Sequence, residues 1–370
     1  MYRNNILGVF TAAAILVVGC TKPEPTPAPI EVVYVPTKVA FTKPANFPPF
    51  EDSLFLQNLT QEGIELGRML FYDKILSEDF SINCASCHVQ SQAFSDNRVR
   101  SVGVKGRLTE RQSMSLANMA WVRNYFWDGR VGTLEEQVLF PIQDFHEMNL
   151  SLQDMKARLA NHPDYPLRFH KAFGTAGITE QRVANALSQF VMTMVSSNSK
   201  FDRALRGQAQ LTPQEFQGRL LFNQHPTFGR ARGANCGDCH TGFLQTDNLF
   251  RNNGLDLVYQ DDGLYNVTKR ERDRGLFRVM SLRNIALTPP YMHDGRFNTL
   301  HEVMEHYNEH VKAHPNVDVL MQASNGPDST TMQLLLTPQE INAVVAFLHT
   351  LTDTSFINNP AFKDPFTSNP

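Results

Sequence analysis

"NCASCHVQSQAFSD" (residues 83–96) and "NCGDCHTGFLQTDN" (residues 235–248) open alike, with two cysteines two residues apart and a histidine directly after. A Cys-x-x-Cys-His run attaches haem c: the thiols form thioethers with the vinyl groups, and the histidine becomes an axial iron ligand. Cys84, Cys87 and His88 make one such site, and Cys236, Cys239 and His240 a second. The chain has five cysteines, so only Cys20 falls outside these runs. Two disulfides or a zinc site are the alternatives for four cysteines in an exported chain. Neither calls for a histidine after each pair, and the sequence implies two covalently bound haem c groups.

The text around the two motifs is also duplicated. "GRMLFYD" (67–73) precedes the first motif much as "GRLLFNQ" (218–224) precedes the second. After them come "MSLANMA" (114–120) and "MSLRNIA" (280–286), then "FWDGRVGTLEEQV" (126–138) and "MHDGRFNTLHEVM" (292–304). Conserved order within one chain marks two copies of a single unit, with a longer insertion in the second. Residues 178–197 and 336–353 have apolar spacing near the helical period and few breakers. Thr133 with Glu136, and Thr299 with Glu302, form T-x-x-E capping signals at matching places. No hairpin signal argues for a sheet. The expected fold is all-α, with two tandem cytochrome-c-like domains over 50–205 and 206–370, each holding one haem. In the helix opened by Thr299, the residues Leu300, Val303, Met304 and Tyr307 share one face. Met304 and Tyr307 are each able to ligate iron; the alternative is that both are ordinary core residues.

Composition is that of a globular protein, 42% hydrophobic and 19% charged over 370 residues, a length suited to two domains. A net charge of -3 gives no basic excess for nucleic acid. The first residues, "MYRNNILGVFTAAAILVVGC", place Arg3 before an apolar run from Ile6 to Gly19. That run is short for a membrane span and reads as a secretory signal over 1–19. Gly19 before Cys20 resembles a bacterial lipobox, which would make Cys20 a lipidated mature N-terminus on the periplasmic side of a membrane. Export as a soluble protein cut nearby is the alternative. Residues 20–49 are proline-rich and read as a tether.

With its two haem motifs, "FWDGR" (126–130), "HEMN" (146–149), "LTPPYMHDGR" (287–296) and the duplicated "GRxLF", the chain resembles the bacterial di-haem cytochrome c peroxidase family, which includes the MauG enzymes. The resemblance covers roughly residues 50 to 355. It implies that the first haem is the peroxide site and the second handles electron transfer. Trp127 matches the tryptophan between the haems. Gln137 and Glu147 match the glutamine and glutamate of the peroxide pocket, where Glu147 would move a proton between the peroxide oxygens. Typical members carry a distal histidine in the loop after the first motif. Here no histidine lies between His88 and Trp127, and Val104 takes the matching position. The expected first iron is open, with Met114 or a remote histidine as the substitutes to be tested. Tyr307 falls where typical peroxidases have the methionine ligand of the second iron, and Met304 is the runner-up. A phenolate lowers the potential relative to a thioether.

The family's calcium site maps onto the Gln112 side chain and the carbonyls of Thr288 and Pro290, with Gln112 in place of asparagine. Implied partners are hydrogen peroxide and either a small electron donor (a cytochrome or cupredoxin) or a protein substrate. A homodimer would also follow the family. Three readings stand: a peroxidase, a MauG-like oxidase acting on a protein, and an electron-transfer cytochrome with both irons closed. A pyridine haemochrome assay should find two haems per chain, and Cys236→Ala should lose one of them. One haem in the parent protein would refute the tandem reading.

Overall fold

Thr60 ends an extended segment and accepts a hydrogen bond from Gly63 N at 3.1 Å, which starts the Gln61–Tyr72 helix. Its buried face carries Gly63, Leu66, Gly67, Leu70 and Phe71. That face packs on the Glu180–Met192 helix, capped by Thr179. The two backbones approach so closely at Gly67 that an added Cβ would land on the Ala186 carbonyl. The same pair recurs in the second half of this computed structural model. There the Pro213–Asn223 helix is opened by Thr212 and Glu215 in a full capping box and packs on Pro338–His349. At Gly218 an added Cβ would land on the Ala343 carbonyl. The duplicated "GRxLF" is thus a duplicated helix crossing that only glycine permits.

The structure describes residues 33–50, 53–56, 58–226, 231–322 and 333–367, besides Met1. Cys20, the signal segment after Met1 and the first part of the tether, residues 20–32, lie outside the described residues. Residues 34–370 form one compact unit. Within it, one hydrophobic cluster gathers Leu66, Leu70, Phe71, Phe94, Leu187 and Phe190, and another gathers Phe222, Leu300, Met304, Val344 and Phe347. The chain's end returns to the first cluster through Phe356 and Phe362. Tyr72 Oη and Arg68 Nε hold it there by donating to Phe362 O and Lys363 O, both at 2.6 Å. Between the clusters, Arg283 pairs with Asp202 through two bonds of 2.8 Å in a buried site. Such a pair is worth most as a fixed register, since desolvation offsets much of its attraction.

The long helices stop short of their apolar patterns. Thr193 and Thr350 turn their hydroxyls back onto Phe190 O and Phe347 O, each at 2.6 Å, and the backbone leaves the helix there. The architecture is mostly helical, with one departure from the all-α expectation. Phe250–Arg251 pairs antiparallel with Phe277–Arg278 inside the insertion of the second half. Two residues per strand are too few to leave an alternating pattern in the sequence. Of the two matching capping signals, Thr299 and Glu302 form the reciprocal box, whereas Thr133 accepts from Glu136 N without the return bond.

Gly67→Ala and Gly218→Ala should each destabilise the holoprotein by about 1–3 kcal/mol through overpacking, read as a lower melting temperature. Gly132→Ala, where an added Cβ meets nothing within 4 Å, is the control and should be near neutral.

Candidate active site: two haem pockets

Each attachment motif folds as a tight turn, Cys84–Ser86 in one half and Cys236–Asp238 in the other. His88 N donates to Cys84 O at 3.0 Å and His240 N to Cys236 O at 2.8 Å, so both rings leave their turns in the same way. The four thiols are free, as thioether formation requires, and burial pushes Cys84, Cys87 and Cys236 up to about 12. His88 Nδ1 lies 2.8 Å from Phe94 O, and His240 Nδ1 lies 3.3 Å from Gln245 O. Donation from Nδ1 fixes the tautomer and leaves Nε2 as the lone-pair nitrogen. Burial lowers the pKa of both rings, which keeps the imidazoles neutral, the form that binds metal.

The second motif opens onto a cavity of about 1370 Å³, solvent at its mouth included. Phe222, Leu300, Val303, Met304 and Leu348 line it, so an apolar macrocycle fits. The helix Leu300–Glu305 widens into a π turn over His306–His310, a distortion common at functional sites. Met304, from the α-helical part, and Tyr307, from the π turn, both line the cavity that holds His240. Tyr307 Oη accepts from Asn253 Nδ2 at 3.2 Å, and burial pushes the phenol up to about 12. Asn253 also reaches Met292 Sδ at 3.4 Å, a third candidate donor that sequence spacing did not single out.

Trp127 lines this same cavity although it belongs to the first repeat. Its turn is set by left-handed Phe126 and Gly129, matched by Met292 and Gly295 around His293. The indole Nε1 donates to Gln112 O at 3.2 Å.

At the first site, the Glu147 charge adds to the burial that raises the thiols of Cys84 and Cys87. Burial raises the Glu147 pKa to about 7, helped by Asp144 and opposed by Arg130. Its carbonyl accepts from Val104 N at 2.8 Å. Gly103 presses on the same backbone, with no room for a Cβ against His146 and Glu147. Val104 is fully buried on this loop, which is closed by Ser101–Thr109 bonds and by Lys105 on Glu78. Gln137 ends the short Leu134–Gln137 helix, half-buried. The Met114 sulfur lies 3.8 Å from Arg278 Nη2.

A profile of the di-haem cytochrome c peroxidase family matches residues 61–210. The chain is 34% identical over 275 residues to the methylamine utilization protein MauG of Methylophilus methylotrophus, covering 74% of this chain and 79% of that one. The chain belongs to the di-haem cytochrome c peroxidase and MauG family. It is 33% identical over 306 residues to the cytochrome c551 peroxidase of Nitrosomonas europaea, covering 81% of this chain and 82% of the relative. The crystal structure of a MauG-like protein associated with microbial copper homeostasis superposes with a TM-score of 0.75 at 34% identity, covering 87% and 98% of the two chains. Membership makes the protein a cytochrome c peroxidase-type oxidoreductase and implies two haems, a peroxide substrate and a cytochrome donor.

The residues mapped to the family's calcium site are close in space. Gln112 is buried, with Nε2 3.4 Å from Thr288 O, two residues before Pro290. Asn97 was not foreseen there. Its amide faces Leu287 O and Pro289 O, reaching 3.0 and 3.2 Å when the nitrogen is turned toward them. The family's asparagine maps to Gln112, and the left-handed turn at Asn97 leaves no spacing signal. Among the described residues, His301, His306, His310 and His314 join no cluster of metal-binding side chains.

The Glu147 carboxyl is neutral below about pH 7 and ionised above it. The bimolecular rate with peroxide should therefore rise through that pH as the base form appears. Glu147→Gln should flatten the profile and slow the reaction by about 10²–10⁴-fold. An unchanged profile would remove Glu147 from the proton path.

Proposed function

We propose that this protein reduces hydrogen peroxide at the first haem with electrons passed through the second, and that it does so without prior reduction. Haem iron, when bound by His88, supplies the redox centre at which peroxide is held. Reduction takes two electrons and two protons to two waters, and the chain's residues manage the protons. Glu147 takes the proton from one peroxide oxygen and returns it to the other, which departs as water. Its near-neutral pKa suits both halves of that transfer. Gln137 is assigned to orient the bound peroxide by hydrogen bonding. Trp127, lining the second cavity from the first repeat, is assigned to couple the two centres. Tyr307 is assigned as the second ligand of the iron held by His240. The calcium ion is assigned to the Thr288 and Pro290 carbonyls with the amide oxygen of Gln112 or Asn97, oxygen donors of the kind calcium accepts.

The observation that carries the reading is Val104. The position that matches the family's distal histidine is fully buried, apolar, and fastened through its own N–H to the backbone of Glu147. The Tyr307 phenol favours a second reading, a MauG-like oxidase that turns peroxide equivalents on a protein. Steady oxidation of a reduced small cytochrome by peroxide separates the two. We place the protein on the periplasmic side of a bacterial membrane, anchored through lipidated Cys20.

Val104→His tests the central assignment. The variant should gain a second low-spin haem and lose its reaction with peroxide in the oxidised state, recovering it after one-electron reduction. Val104→Ala should leave the reaction fast. An oxidised Val104→His protein that reacts as quickly as the parent would mean that this position does not face the first iron.

A further inference from the structure

Arg278 is 4% exposed, and no carboxylate among the described residues pairs with it. The other enclosed arginines contrast with it: Arg111 has Asp128 and Asp261, Arg251 has Asp247 and Asp318, and Arg283 has Asp202. Its guanidinium is left with Phe126 O at 3.3 Å from Nε and the Met114 sulfur at 3.8 Å from Nη2. Burial lowers its pKa to about 10, so it remains a cation at neutral pH. A lone buried charge is strongly unfavourable unless a counter-charge meets it.

The backbone fixes where that counter-charge must come from. Arg278 ends the two-residue strand pair, and its N–H donates to Trp127 O at 2.9 Å. Its side chain lines the cavity with Cys236, Cys239, His240 and Tyr307, and also the small cavity with Ser115, Trp121 and Met280. Asp318 lines the first of these too, but it is paired with Arg251. Haem c brings two propionate carboxylates of its own on the edge away from its thioether bonds.

We propose that Arg278 is the charge partner of a propionate of the haem held by Cys236, Cys239 and His240. The guanidinium fork suits a carboxylate in bidentate fashion. The pair also ties that haem to Phe126 and Trp127 of the first repeat, making Arg278 a positioning residue for electron passage. The proposal rests on haem attachment and not on the peroxidase reading, and its test uses no peroxide.

Holoprotein carrying Arg278→Gln or Arg278→Lys would be titrated by spectroelectrochemistry, with resonance Raman spectra of the propionate bending bands. Bands of the second haem are assigned by their loss in Cys236→Ala. Arg278→Gln should lower the midpoint potential of the second haem, because an unneutralised carboxylate favours ferric iron. It should also move that haem's propionate band and leave the first haem's band in place. Arg278→Lys should restore most of the potential while the band stays shifted, since the fork is gone. Should the glutamine variant fail to take up haem, the band position in the lysine variant decides alone. An unmoved second-haem band in Arg278→Lys, or shifts confined to the first haem, would overturn the assignment.

Discussion

A hydrogen bond from histidine Nδ1 to a backbone carbonyl fixes each half of this protein. At His88 it runs to Phe94 O and at His240 to Gln245 O. It settles which nitrogen faces the metal and how the ring is turned. A haem held at each site would be attached through the thiols of the Cys-x-x-Cys-His turn, with the neighbouring histidine supplying its nitrogen. Two crossings, at Gly67 on Ala186 and Gly218 on Ala343, repeat that frame in one chain.

What the halves do not share is the side opposite the histidine, and the chemistry divides there. The second half presents Met304, Tyr307 and Met292 to one apolar cavity, Tyr307 from a π turn. The first half presents Val104, which offers no donor, and Glu147, a carboxyl held near neutrality by burial. A centre without a protein ligand and with an adjacent acid–base group suits peroxide. With Tyr307 as the proposed ligand of the second iron, that centre would suit storage and passage of charge. The Arg278 and Trp127 contacts cross from one frame to the other.

Much of this was legible in the sequence because covalent attachment leaves an unambiguous spacing. The repeat could be read from "GRxLF", and the stripe of Leu300, Val303, Met304 and Tyr307 does reach one cavity. Stripe periodicity could not choose between Met304 and Tyr307, since both face the same way. The strand pair at Phe250 and Phe277 was too short to show. Asn97 was hidden because a left-handed turn redirects its side chain. Arg278 looked like any other arginine. Its isolation becomes visible only when every neighbouring acid is seen to be engaged elsewhere.

The account stands on one iron being open and the other closed in the resting oxidised protein. Electron paramagnetic resonance of the as-isolated holoprotein, before and after peroxide, reads this directly. One high-spin and one low-spin ferric signal are expected. The high-spin signal should vanish on adding peroxide, with no electron supplied first. Two low-spin signals, unchanged by peroxide until the protein is half-reduced, would contradict the account and mean that a ligand closes the first iron.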